Sequence, residues 1–169
     1  MIARMELSAE ISYPGATPHE AFALAVDPKF RAAVCEATMA LGYDVGIDQK
    51  DDGGAMVRVD RTMPAEVPDF VKKLVGETLD IRQTEDWSAP DAEGRRTADI
   101  RVDVVGQPAG MTGTIVLEPT SDGCREVVSG QVKVSIPFLG GKIEPEVAKS
   151  IVTGMRVEQK TGREWLAKS

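Results

Sequence analysis

The constraint that most limits this chain is its last stretch. After the strand-like run VSGQVKVSIP, the segment FLGGKIE opens a single helical pattern that runs to the C-terminus. At about 1.5 Å per residue the helix reading of 138–166 is on the order of 40 Å long, far beyond an average globular helix. At about 100° per residue, Ile143, Val147, Ile151, Met155, Trp165 and Leu166 fall on one broad face, with Ala148 at its edge. Gly154, Gly162 and Glu158 lie on that same face, while Glu146, Lys149, Arg156, Lys160 and Arg163 lie opposite. A long helix whose apolar face has gaps and one acid predicts a helix lying over a concave surface, not a filled seam.

The remaining pattern supplies that surface. Met5, Leu7, Ala9, Ile11 and Tyr13 alternate with polar residues, the signature of a half-buried strand. Thr17, Pro18 and Glu20 then form a capping-box start for a short helix. Asp27-Pro28 ends it and begins a second, with Phe30, Val34, Ala37, Thr38 and Leu41 as inner face and Gly42 as stop. Period two returns at Tyr43, Val45 and Ile47, turns at KDDGG, and resumes at Val57 and Val59, a hairpin signal. Residues 67–75 carry apolar groups at helical spacing, so a short helix interrupts the strands. Four further strands follow, on the parities of Leu79–Trp87, Ala98–Val104, Gly113–Leu117 and Val128–Ile136. Short turns between seven strands with one wet face predict an antiparallel meander that curls around the last helix. The fold class is therefore α+β: a helix-grip fold with a seven-stranded curved antiparallel sheet and two short helices after the first strand. One domain over 1–169 is expected, without repeat or linker.

These elements also carry a resemblance. Their order is similar to the START-like (SRPBCC) helix-grip superfamily, which includes lipid-transfer domains, polyketide cyclases and pollen-allergen-type carriers. The strings RTMPAEVPDFVKKLVGETLDIRQTEDW, GTIVLEP and VSIPFLGGKIE resemble a bacterial family of that superfamily known as DUF2505, a domain of unknown function. The resemblance implies a hydrophobic pocket between sheet and helix. It assigns no chemistry.

Several motifs are excluded. A Walker loop would need glycine and Ser/Thr where Ile136 and Ile143 stand around GGK; the glycines more simply let the chain swing from strand into helix. Asp48, Asp51 and Asp52 lack the spacing of a calcium loop, and no His/Cys/Asp set has zinc spacing. His19, the lone histidine, has no nucleophile near it in sequence. No metal and no cofactor are expected. The net charge of −7 argues against nucleic acid and anionic membranes as partners. No apolar run is long enough to span a bilayer, and MIARMELSAE lacks a signal peptide's apolar stretch, so a soluble cytoplasmic protein with reduced Cys35 and Cys124 is expected.

Polar residues on apolar parities are the informative anomalies: Arg61 beside Val57 and Val59, Gln83 and Glu85 beside Leu79 and Ile81, and Glu158 on the gripping face. Either they reach solvent at the rim, or they are the few placed polar groups of a mostly apolar ligand site. On the second reading the site combines Arg61, Gln83 and Glu158 with Leu79, Ile81, Trp87, Ile100, Val102, Ile115, Leu117, Val132, Ile151 and Met155. Glu158 is then expected to pair with Arg61. The function expected is binding of a hydrophobic small molecule, lipid-like or aromatic. The alternative is an enzyme of the cyclase or hydrolase kind, for which Glu158 or Glu85 with Tyr43 is the acid–base set the sequence offers. The identity of the ligand and the oligomeric state are not encoded legibly.

Overall fold

A computed structural model describes residues 3–169. Its elements are β1 (Ala3–Pro14), α1 (Pro18–Ala25), α2 (Pro28–Ala37), β2 (Gly42–Gln49), β3 (Ala55–Pro64), α3 (Asp69–Val75), β4 (Thr78–Trp87), β5 (Arg96–Val104), β6 (Ala109–Pro119), β7 (Gly123–Val134) and α4 (Gly140–Ala167). All seven strands form one antiparallel sheet in the order β1-β7-β6-β5-β4-β3-β2. The first strand therefore closes back beside the last, while β2 ends the opposite edge. The curved sheet grips α4, the arrangement expected from the alternation and from the gapped helix face.

Local chemistry sets the boundaries. Thr17 and Glu20 form the expected capping box, and the Asp27 carboxylate accepts from Lys29 N at 2.8 Å to start α2. That helix stops earlier than the sequence suggests. Thr38 turns its hydroxyl back onto the Val34 and Cys35 carbonyls, Met39 takes a left-handed φ of 65°, and Leu41 is 65 % exposed. The chain has to leave the helix before Gly42, because Leu41 N already bonds Thr62 O across the coming β2–β3 pair. At the β7–α4 corner the left-handed residue is Phe138, with φ 66°, and Gly140 and Gly141 are already helical. The turn is thus not made by the glycines.

The core is built from the inward parities. Leu7, Ile11, Ile100, Ile115, Leu117, Val132 and Val134 are buried, as their alternation requires, and Val102, Val147 and Ile151 are only partly so. At the end holding the β6–β7 turn, Phe22 meets Trp87 edge-on at 5.7 Å, with the Arg96 guanidinium 3.5 Å over the Phe22 ring. Phe30 of α2 meets Trp165 of α4 at 5.5 Å. Helix α4 packs chiefly on β1 and β7. Gly162 permits this closeness: a Cβ there would fall 2.6 Å from the Tyr13 ring. Ser12 N donates to Gln159, and Arg163 donates to Ser12 O at 2.9 Å and to its hydroxyl at 2.7 Å. Leaning on β1 and β7, α4 leaves the concave face of the other strands incompletely filled.

Candidate functional site

That unfilled space is a cavity of about 550 Å³, within the ordinary range for small-molecule sites. Strands β3 to β7 form its floor, α4 its roof and α2 one wall. Helix α3 contributes Val71, Leu74 and Val75 at the end where β7 passes into α4. Gly154 faces this space, since a Cβ on it would meet nothing within 4 Å.

Besides Arg61 of β3, the polar groups come from five elements. The β4 parity carries Gln83, Glu85 and Trp87 inward; β7 brings Glu126, β1 Tyr13, α2 Arg31 and α4 Glu158. Glu85 lies between Val57 and Ile100 in the sheet, and Glu126 between Ile11 and Leu117. Both carboxyls are therefore held in apolar surroundings. Glu85 is nonetheless well supplied with donors: Arg31 Nη2 at 2.6 Å, Trp87 Nε1 at 2.9 Å and Gln83 Nε2 at 2.6 Å. Arg61 in turn donates to Gln83 Oε1 at 2.9 Å. Arg31, 4 % exposed, also donates from Nε to Ala25 O at 2.8 Å and faces Glu158 Oε1 at 3.6 Å. Burial works against its charge, but Glu85 and Glu158 more than restore it.

Glu126 is different. It is 5 % exposed, lines the cavity and has no hydrogen-bond partner among the described residues. Burial pushes its carboxyl well above the usual carboxylate range, and the charges of Glu158 and Glu85 add to the effect against the opposing Arg31. Glu158 is raised as well, first by burial, with Arg31 countering and Glu85 reinforcing. The Tyr13 phenol is pushed up by burial and then by Glu126 and Glu158. The result is three carboxyls around one buried guanidinium that bonds Ala25 O and Glu85 and faces Glu158, with Arg61 bonded to Gln83.

Of the residues singled out in the sequence, Arg61, Leu79, Ile81 and Gln83 line the cavity, as do Ile100, Val102 and Ile115, and Ile151, Met155 and Glu158. Trp87, Leu117 and Val132 do not; they are packed in the core behind its wall, because the strand ends they occupy lie under α1 or beneath the contact of α4 with β1 and β7. The expected Glu158–Arg61 pair is replaced: Glu158 faces Arg31, and Arg61 bonds Gln83. Tyr43 stands outside the cavity, its hydroxyl donating to Glu36 at 2.5 Å, so the acid–base set with Tyr43 is not assembled. Gly154 keeps space in the cavity, whereas Gly162 keeps space for Tyr13. Sequence reasoning missed Arg31 and Glu126. Both left a signal: Arg31 stands three and four residues before the buried Val34 and Cys35, and Glu126 continues the inward parity of Val128. His19 is exposed, Asp52 accepts from Gly54 N in a plain hairpin turn, and Cys35 and Cys124 are free thiols. No helix of the described residues is long and apolar enough to cross a membrane.

A family model described as protein of unknown function (DUF2505) matches residues 7–166, essentially every element named above. The chain belongs to the DUF2505 family. An uncharacterized protein of Mycobacterium tuberculosis is 33% identical to this DUF2505 member over 125 residues, 72% of this chain and 71% of that protein. Among solved structures, a protein of Thermus thermophilus superposes with a TM-score of 0.64 at 20% identity, covering 98% of this chain and 99% of that one. A STAR-related lipid transfer protein of Xanthomonas axonopodis gives 0.61 at 13% identity, covering 94% and 85%. At these identities the likeness is one of fold: this DUF2505 protein shares with them a curved sheet gripping a long C-terminal helix.

Proposed function

We propose that this DUF2505 protein is a soluble carrier that holds a hydrophobic small molecule, lipid-like or aromatic, between the sheet and α4. The observation that carries the reading is the cavity itself: about 550 Å³ of space, walled mostly by apolar side chains, with polar groups that include the Arg31–Glu85–Glu126–Glu158 cluster. A chain selected only for stability would fill such a space, since buried voids cost stability in proportion to their volume. The likeness to a protein named for lipid transfer agrees with the reading at the level of fold. Ile81, Ile100, Val102, Ile151 and Met155 serve as the apolar contacts, and Gln83, Arg61 and Glu158 as polar ones.

Native mass spectrometry of the protein purified from its own cell tests this. A co-purifying apolar molecule, lost on denaturation, is the expected result. An unchanged apo mass, together with no fluorescence gain from anilinonaphthalene sulfonate, would overturn it. A second reading, an enzyme of the cyclase or hydrolase kind, draws on one observation: two carboxyls raised by burial stand beside a buried tyrosine, the kind of group that general acid–base chemistry uses. Turnover of a co-purified molecule by the wild type and not by Glu158→Gln would favour it.

A further inference from the structure

Within the cavity reading, we infer that the polar wall receives the cationic nitrogen of an amine-headed ligand, with Glu126 and Glu158 as its acceptors and the apolar space holding its hydrocarbon part. The argument is one of donors and acceptors. The bonds seen in the cluster commit Arg31 Nε to Ala25 and Nη2 to Glu85, Trp87 and Gln83 to Glu85, and Arg61 Nη2 to Gln83, while Arg31 Nη1 stands 3.6 Å from Glu158. What remains is accepting capacity. Glu126 is more than nine-tenths buried, faces the cavity, and meets no donor among the described residues.

The charge balance points the same way. Three carboxyls (Glu85, Glu126, Glu158) face two guanidiniums, of which Arg31 is engaged by Glu85 and Arg61 is turned to Gln83; elsewhere on the lining Glu66 and Glu146 stand against the single ammonium of Lys149. An anionic ligand would add a fourth carboxyl to this wall, with the outer nitrogens of Arg61 and, elsewhere on the lining, Lys149 to greet it. A neutral ligand would bring no charge to offset a Glu126 carboxylate. An ammonium supplies both the missing donors and the missing charge, and charge-assisted bonds of this kind are the strong ones. In the complex the amine is the ammonium and Glu126 the carboxylate, so any proton that Glu126 holds in the empty cavity passes to the buffer. The groups facing Glu126 that share in this balance are Tyr13, Arg31, Glu85, Cys124 and Glu158.

Isothermal titration with decylamine, decanol and decanoate at neutral pH, in two buffers of different ionisation enthalpy, tests the inference. Decylamine is expected to bind at least about tenfold more tightly than decanol, the equivalent of about 1.4 kcal/mol. Glu126→Gln should lose about tenfold for decylamine and hold decanol within about twofold, with an unchanged circular dichroism spectrum. Glu158→Gln should weaken decylamine in the same direction, which covers the case of a poorly folded first variant. Decanol or decanoate binding as tightly as decylamine, or a Glu126→Gln protein indifferent to the change, would overturn the amine head and leave the cavity reading standing. Failure of all three probes to bind would count against the cavity reading itself.

Discussion

Arg31→Met is the most exacting test of the polar cluster. The side chain is 5% exposed and joins α2 to β4 through a 2.6 Å contact with Glu85, while its second nitrogen faces Glu158 at 3.6 Å. At an effective dielectric of about 20, unit charges at these separations attract by about 6 and 5 kcal/mol. Desolvation of three buried ions offsets much of that. Removing the cation leaves the desolvation in place and deletes the attraction, so the expected loss is that of a broken buried pair, about 3–5 kcal/mol. For a chain of this size that is a fall in Tm of roughly 6–20 °C. Urea denaturation at pH 7 measures the loss directly. In Arg31→Met/Glu85→Gln the amide still accepts from Trp87 but no longer carries a charge, so the double variant should recover about 1–3 kcal/mol of it. An Arg31→Met protein within about 0.5 kcal/mol of wild type, as for an ordinary surface change, would refute the reasoning, and so would strict additivity of the two substitutions.

Three further outcomes are expected. The unfolded chain releases the Glu126 proton near the ordinary glutamate value of about 4.3, whereas the native state holds it to higher pH. Native protein therefore binds more protons across that window, and Glu126 makes stability fall as pH rises from about 4.3 toward the raised native value; urea midpoints should show Glu126→Gln gaining on wild type with increasing pH, and a constant difference would contradict this. Gly154→Ala, with open space around its Cβ, should raise stability by about 1 kcal/mol through helix propensity, while Gly162→Ala, driven against the Tyr13 ring, should lower it by about 1–3 kcal/mol; equal thermal shifts would show that α4 does not press on β1 as described. Helix α3 should exchange its amide hydrogens faster than the C-terminal half of α4 and slow when anilinonaphthalene sulfonate is bound, and identical protection in both states would make it a patch on the sheet and not a gate.

Much of this architecture was legible because strand alternation and helix capping are local. The parities of β4, β5 and β6 and the capping box at Thr17 needed nothing from elsewhere in the chain. The end of α2 was not legible, since Leu41 fits the helical period and only the pull of Thr62 from β3 takes it out. The site was half legible for the same reason. Glu85 and Glu158 stand out against apolar neighbours, but which cation answers them depends on how α2 folds back over β4, a long-range fact. Arg31 hid among residues read as an apolar face, and Glu126 hid just beyond the point where the valines of β7 begin. Tyr13, read as one more apolar residue of β1, could not announce two glutamates brought to it by β7 and α4.

Beta sheets that stop without closing into a barrel leave two rows of unpaired amides, a standing invitation to pair with another copy. Here the row on β1 is partly taken up by side chains of α4: Gln159 accepts from Ser12 N, and Arg163 donates to Ser12 O. The roof of the cavity is thus also the cover of a sticky edge. At the other margin β2 carries Asp44 and Asp48, with the Arg58 guanidinium laid over Gly46, a charged fringe that discourages a visiting strand. A large outward swing of α4 to admit cargo would uncover the β1 edge at the same moment. On the carrier reading, entry past the short helix α3 would leave that edge covered.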